Sequence, residues 1–261
     1  MKIIVRSILS FLKGILFYYE ANMFIFRHKL WHYLIFPGFF GILYMISLFI
    51  IGILIFPDLS VYLNETVAPD TLKGDGMVIG ISVFLWLLTG IIGYISYQQI
   101  ILILFSPVLS HISNLTEHIL SNNSWQGYSL LQFVKSVFRS FILNLKNIFR
   151  MALFGGIASM FVFFPIVGLF VTPIMIILIL SYYCGFGLID FSLDRKEYSA
   201  SDSSKFNREN RALTTGIGFG FCMLLFIPFL GWMTAPGYGA VASTLAAIEE
   251  TDDNEKYKRK S

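Results

Sequence analysis

Four stretches of this chain run without a charged residue for longer than a soluble domain tolerates: residues 33–57, 77–105, 151–189 and 212–248. They are 25, 29, 39 and 37 residues long. A helix rises about 1.5 Å per residue, so about 20 apolar residues cross the roughly 30 Å hydrocarbon core. The first two runs are each long enough for one crossing. Composition agrees, with 13% charged residues and 27 phenylalanines, against about 25% charged in a soluble domain. The expected class is an all-α integral membrane protein.

The two longer runs are each interrupted by the same phrase. "FPIVGLFVTP" at 164–173 and "IPFLGWMTAP" at 227–236 both read apolar-Pro-x-x-Gly-x4-Pro, placing Pro165, Gly168 and Pro173 at a constant offset of 63 from Pro228, Gly231 and Pro236. The uncharged limbs before the first prolines hold 14 and 16 residues, and those after the last prolines 16 and 12. Such limbs reach roughly 18–24 Å, short of the core. Proline lacks the N–H that continues a helix and clashes with the preceding turn. Each phrase therefore reads as the tip of a partly penetrating, re-entrant helical hairpin; two kinked full spans per run is the alternative. Unpaired backbone at a tip is tolerated only where protein or a water-filled cavity covers it. Pro/Gly-interrupted segments in corresponding positions also point to transport sites.

Charge supplies an orientation. Residues 58–76 hold Asp58, Glu65, Asp70 and Asp75 against Lys73 alone, while the other 18 of 19 Lys and Arg lie in 1–32, 135–150, 195–211 and 256–260. Two spans followed by two hairpins put those four regions on one side, which the positive-inside rule makes cytoplasmic, with both termini there. Four full spans in place of the hairpins give the same sidedness. Residues 1–248 read as a single membrane domain, and 249–261 as a charged cytoplasmic tail expected to be disordered. Arg6 and Lys13 leave six uncharged residues between them, fewer than the about 7–15 of a secretory signal core.

Two stretches read as amphipathic interfacial helices. In 1–20 the charges Lys2, Arg6, Lys13 and Glu20 form one narrow stripe. In 130–150, Lys135, Arg139, Lys146 and Arg150 recur with Ser136, Ser140, Asn144 and Asn147 alongside. For the second, the basic face can equally continue as the start of the first hairpin.

The strongest cluster of candidate chemistry is "FRHKLWHY", with Arg27, His28, Lys29 and His32 just before the first span. Cations beside the free N–H groups of a helix start can hold an oxyanion; the plain alternative is a basic membrane anchor with Trp31 and Tyr33 at the headgroups. Arg27, Lys29 and His32 are the expected anion-binding residues. The pairs His28/His32 and His111/His118 lack a third ligand at metal spacing. "GIGFG" (Gly216, Gly218, Gly220) has no preceding strand and no Lys-Ser/Thr, so it reads as close helix packing. Cys184 and Cys222 sit inside apolar runs as small packing residues. No nucleophile–base arrangement stands out, so no enzyme chemistry and no cofactor are expected. The net charge of +3 matches a basic membrane face and does not imply nucleic acid.

The pieces "FLKGILFYYEANMFIFRHKLWHYLIFP", "FSPVLSHISNLTEHIL", "FFPIVGLFVTP", "LIDFSLDRKEYS", "NRENRALTTGIGFG" and "IPFLGWMTAPGYGAVAST" run in order from residue 11 to 244, an interval that takes in most of the chain. The ordered set resembles the CysZ sulfate permeases and their wider superfamily, which includes the eukaryotic etoposide-induced membrane proteins. The resemblance implies two long spans, two partly penetrating hairpins, homo-oligomeric assembly, and sulfate passage for cysteine synthesis, at the plasma (inner) membrane in a bacterium. One departure matters. That family carries a Gly-Leu-Arg-Arg-like motif before the proline that opens the first span; counting back from Pro37, its glycine is Lys29 here and its two arginines are Trp31 and His32. Two functions follow: a transporter or channel for a small inorganic anion, or a non-transporting membrane protein that organises lipids or partner proteins.

Overall fold

Runs without charge leave a chain few options in lipid, where every backbone N–H and C=O must be paired within its own segment. In the computed structural model the chain answers with helices. The structure describes residues 2–69, 71–121, 130–196, 198–227 and 230–258, and no strand occurs among them. In chain order the helices are α1 (Lys2–Arg27), α2 (Trp31–Thr66), α3 (Asp75–Leu104), α4 (Ser106–Ser121), α5 (Leu130–Ser159), α6 (Pro165–Arg195), α7 (Ala200–Glu209), α8 (Arg211–Leu225) and α9 (Leu230–Lys258), with a 3-10 turn at Met160–Phe163 between α5 and α6. Five are long and apolar enough to cross a membrane: 4–27, 31–66, 75–104, 138–163 and 168–194. The all-α membrane class is therefore as expected. Helix α1 qualifies by length and composition too, although its charge stripe reads as interfacial.

The chain divides into two compact units, residues 39–98 and the remainder. Within 39–98, α2 and α3 pair through small-into-large contacts. Gly52 lies against the Trp86 ring and Gly93 against Leu48 Cδ1. Phe49 and Phe56 flank Trp86 at 5.4 and 5.0 Å.

The larger unit is built on glycine crossings, the device that lets helices approach where lipid supplies no hydrophobic drive. Gly216 and Gly220 share one face of α8. The first meets the Phe11 carbonyl and Gly14 of α1, the second the Tyr18 ring. Gly218, on the opposite face, meets Ser181 and Gly185 of α6. "GIGFG" is thus a helix-packing element with two working faces. Tyr18 Oη donates to the Ile217 carbonyl at 2.8 Å, and Lys13 pairs with Glu249 (3.0 Å) and Glu250 (3.6 Å) of α9. Part of the α1 charge stripe therefore ties α1 to α9. Glu249 and Glu250 belong to α9 itself, which runs on to Lys258 through the segment that composition marks as a tail. Cys184 and Cys222 are buried in the helix packing.

Helix α5 is one continuous helix from Leu130 to Ser159, so the basic stretch 135–150 continues into the hairpin. Helix α7 starts on a reciprocal cap. Ser199 Oγ accepts from the Asp202 N–H (3.2 Å), and the Asp202 carboxylate accepts from the Ser199 N–H (3.2 Å), satisfying donors that a helix start leaves free. The Ser199 hydroxyl, donating to the Asp202 carboxylate at 2.6 Å, and the Ser199 N–H hold the Asp202 carboxyl below the usual carboxylate range.

Candidate functional site

The described residues at the two repeated phrases share one hydrogen-bond pattern. In the first hairpin the Phe164 N–H donates to the Phe161 carbonyl (3.0 Å) and the Gly168 N–H to the Phe164 carbonyl (2.6 Å). In the second the Ile227 N–H donates to Leu224 (3.0 Å) and the Gly231 N–H to Ile227 (2.9 Å). Every residue of the second set lies 63 after its counterpart. The glycines are obligatory for the same reason: a Cβ on Gly168 would land on the Phe161 carbonyl oxygen, and one on Gly231 on that of Leu224. The corner is shorter than the phrase. Pro165 opens α6 at a position where its missing N–H costs nothing, and Pro173 lies inside α6. Pro236 likewise lies inside α9, while Pro228 falls outside the described residues. At the first corner Met160, Val162, Phe163 and Phe164 are 61–83% exposed, an entirely apolar tip.

The basic cluster occupies the link between α1 and α2. The Leu30 N–H donates to the Ile25 carbonyl (2.9 Å) and the Lys29 N–H to that of Phe26 (3.3 Å), the bonding pattern of a Schellman helix stop. Ile25 and Leu30, its customary apolar pair, are both buried. Lys29 takes the left-handed position at φ 56°, which is costly for any residue with a Cβ. This gives a structural reason for the glycine of the Gly-Leu-Arg-Arg-like motif at this position.

Arg27, Lys29 and His32 are all exposed and lie within one helix-to-helix link. His32 Nδ1 donates to the Lys29 carbonyl at 3.1 Å, and the Trp31 ring stacks on the imidazole at 3.6 Å. With Nδ1 so engaged, Nε2 of a neutral His32 offers an anion only a lone pair; it becomes a donor when the ring is protonated. The first N–H groups of α2 complete the donor set, as at any helix start. His28 instead lies against Phe24 at 4.5 Å. Among the described residues no group of three His, Cys, Asp or Glu side chains converges as a metal site.

Sequence reasoning misses the strongest polar feature. Arg139 of α5 turns inward, donating to both oxygens of Asp190 (3.1 Å each) and to Asp194 at 2.6 Å. It also donates to the Tyr198 carbonyl (3.0 Å) and Ser203 Oγ (2.8 Å). The Asp190 side chain is 2% exposed and that of Arg139 18%. One guanidinium therefore joins α5, α6 and the start of α7, and its charge is spent on two carboxylates rather than offered to an anion. Arg139 is not the headgroup-facing residue that the basic stripe implies, because α6 folds back and brings Asp190 and Asp194 within hydrogen-bond distance of it.

The sequence profile of the family described as Sulfate transporter CysZ/Etoposide-induced protein 2.4 matches residues 19–236. The chain belongs to this family. The match spans the Schellman link, both glycine corners and the Arg139 cluster. The family is of the membrane transporter type. No curated protein matches the chain.

Proposed function

We propose that the protein carries a small inorganic anion, sulfate being the family default, across a membrane through an assembly of its hairpins. The observation that carries this reading is the pair of equivalent glycine corners, in a family described by sulfate transport. A tip that emerged into water would expose Phe163 and Phe164, at about 1.5–3 kcal/mol for each such side chain. Such a tip belongs in lipid or against other protein. Arg150 and Arg211 are exposed at the feet of the two apolar ascending limbs. From them to the corners at Phe163 and Phe226 is roughly 20–23 Å of helix, less than the hydrocarbon core. The hairpins enter from the side that carries the basic residues, which is cytoplasmic, and residues 58–76 face the opposite side. Helices α1 and α5 present basic residues to the headgroups at their outer ends, and the assembly is homo-oligomeric.

Arg27, Lys29 and the first turn of α2 receive the anion, with protonated His32 as a further donor. Measuring sulfate binding by the purified protein and by an Arg27→Ala/Lys29→Ala variant tests this. The variant is expected to bind more weakly. Equal affinity of the two proteins overturns the site.

A second reading has one observation in its favour. Trp31 and His32 stand where the two motif arginines are expected, and an exposed ion pair is weak. On that reading the cluster anchors the protein to anionic lipid, and the protein organises lipids or partners without transport.

A further inference from the structure

Helix α5 carries a line of polar side chains that the Arg139 cluster does not use. Ser140, Asn144 and Asn147 are 1–2% exposed, on the face of α5 that packs inside the larger unit. Asn144 Nδ2 donates to the Ser140 carbonyl at 2.9 Å. Its Oδ1 has no partner among the described residues, nor has either polar atom of Asn147. Arg139 Nε, two turns before Asn147, is also buried and unpartnered. Opposite, Gly187 of α6 leaves room for the Asn144 amide, since a Cβ there would lie 2.8 Å from its Oδ1.

Buried polar atoms in native proteins are almost always paired with protein or with ordered water. Here the orphans mix donors (Arg139 Nε–H, Asn147 Nδ2) with acceptors (the two amide oxygens). A bare oxyanion only accepts hydrogen bonds and would face both amide oxygens. Water, with two donors and two acceptors, matches the set. Arg139 is the partly exposed end of the line, and Met151, 7% exposed, closes it with an apolar side chain one turn past Asn147.

We propose that the α5–α6 seam from Arg139 to Asn147 is a hydrated inlet that admits water and small hydrophilic solutes into the larger unit and ends at Met151. Hydration of the seam does not require the transport reading; where that reading holds, the inlet brings a polar solute to the foot of the first hairpin.

Single cysteines at Asn147, Asn144, Leu143 and Ile157, in a Cys184→Ala/Cys222→Ala background, test it in membranes with a small anionic methanethiosulfonate. Only the thiolate reacts, so a dry thiol is nearly inert. Asn147→Cys and Asn144→Cys should react about tenfold or more faster than Leu143→Cys (buried, apolar) and Ile157→Cys (exposed on the apolar ascending limb). Equal, slow rates at all four positions overturn the inlet, whatever sulfate flux shows. Asn147→Leu guards against misfolded cysteine variants. A dry seam makes this near-isosteric change neutral or stabilising, whereas loss of bound water lowers the unfolding temperature. A neutral or raised temperature contradicts the proposal.

Discussion

Gly185 of α6 and Gly218 of α8 meet backbone to backbone: a Cβ on Gly218 would lie 2.6 Å from the Gly185 nitrogen, and one on Gly185 would lie 2.9 Å from the Gly218 nitrogen. Each added methyl would also strike a carbonyl oxygen of the facing helix, of Ser181 and Thr214 respectively. This contact locks the returning limb of the first hairpin to the ascending limb of the second.

Gly218→Ala is therefore expected to destabilise the protein by about 1–3 kcal/mol or more, the cost of overpacking. Gly155→Ala, where a Cβ meets nothing within 4 Å, should be neutral or stabilising by about 0.5–1 kcal/mol from helix propensity. Thermal unfolding of the two variants in detergent separates them. Equal unfolding temperatures contradict the crossing.

Removing Arg139 leaves Asp190 and Asp194 buried without their cation. Arg139→Gln should cost about 3–5 kcal/mol, the penalty for breaking a buried pair from one side. Adding Asp190→Asn should recover part of that loss, because it neutralises the stranded carboxylate. An Arg139→Gln effect within about 0.5 kcal/mol, as for an ordinary surface change, would mean that the guanidinium is solvated after all.

The contrast between these two features shows what the sequence makes legible. Glycines at 216, 218 and 220 announce close packing, because no other role suits them in an apolar run. The partners, Gly14 and Gly185, carry no such signal singly. Arg139 sits in a basic stripe at helical spacing, and Asp190 follows directly on an apolar run, so each looks like a headgroup residue. Their meeting depends on how the α5–α6 hairpin folds back, which spacing along one helix does not encode. The repeated proline phrase lies at the breaks between α5 and α6 and between α8 and α9. It overstates their length, because a proline can also sit inside a returning helix once neighbouring helices hold it.

Lys29 occupies a left-handed position at φ 56°. Lys29→Gly should stabilise the protein by about 0.5–1 kcal/mol by relieving the Cβ penalty, less the added freedom of the unfolded chain. It should at the same time weaken sulfate binding by removing a cation from the cluster. A rise in unfolding temperature with unchanged sulfate affinity would leave the turn geometry standing and remove Lys29 from the site.

Phe163 (83% exposed) and Leu230 (67% exposed) mark the two corners better than the glycines, which have no room for a side chain. In intact cells, Phe163→Cys and Leu230→Cys should resist a membrane-impermeant maleimide from outside, while Leu72→Cys in the acidic 58–76 segment reacts. Fast reaction at all three positions means that both hairpins cross the bilayer completely.

Anion passage through the protein is open to direct measurement. Purified protein reconstituted into liposomes, with radiolabelled sulfate outside and buffer inside, measures it directly. Saturable sulfate entry above that of protein-free liposomes is expected, reduced in the Arg27→Ala/Lys29→Ala variant at equal protein content. Entry no faster than in protein-free liposomes, with helical content retained by circular dichroism, would contradict transport and leave a basic, glycine-packed membrane scaffold.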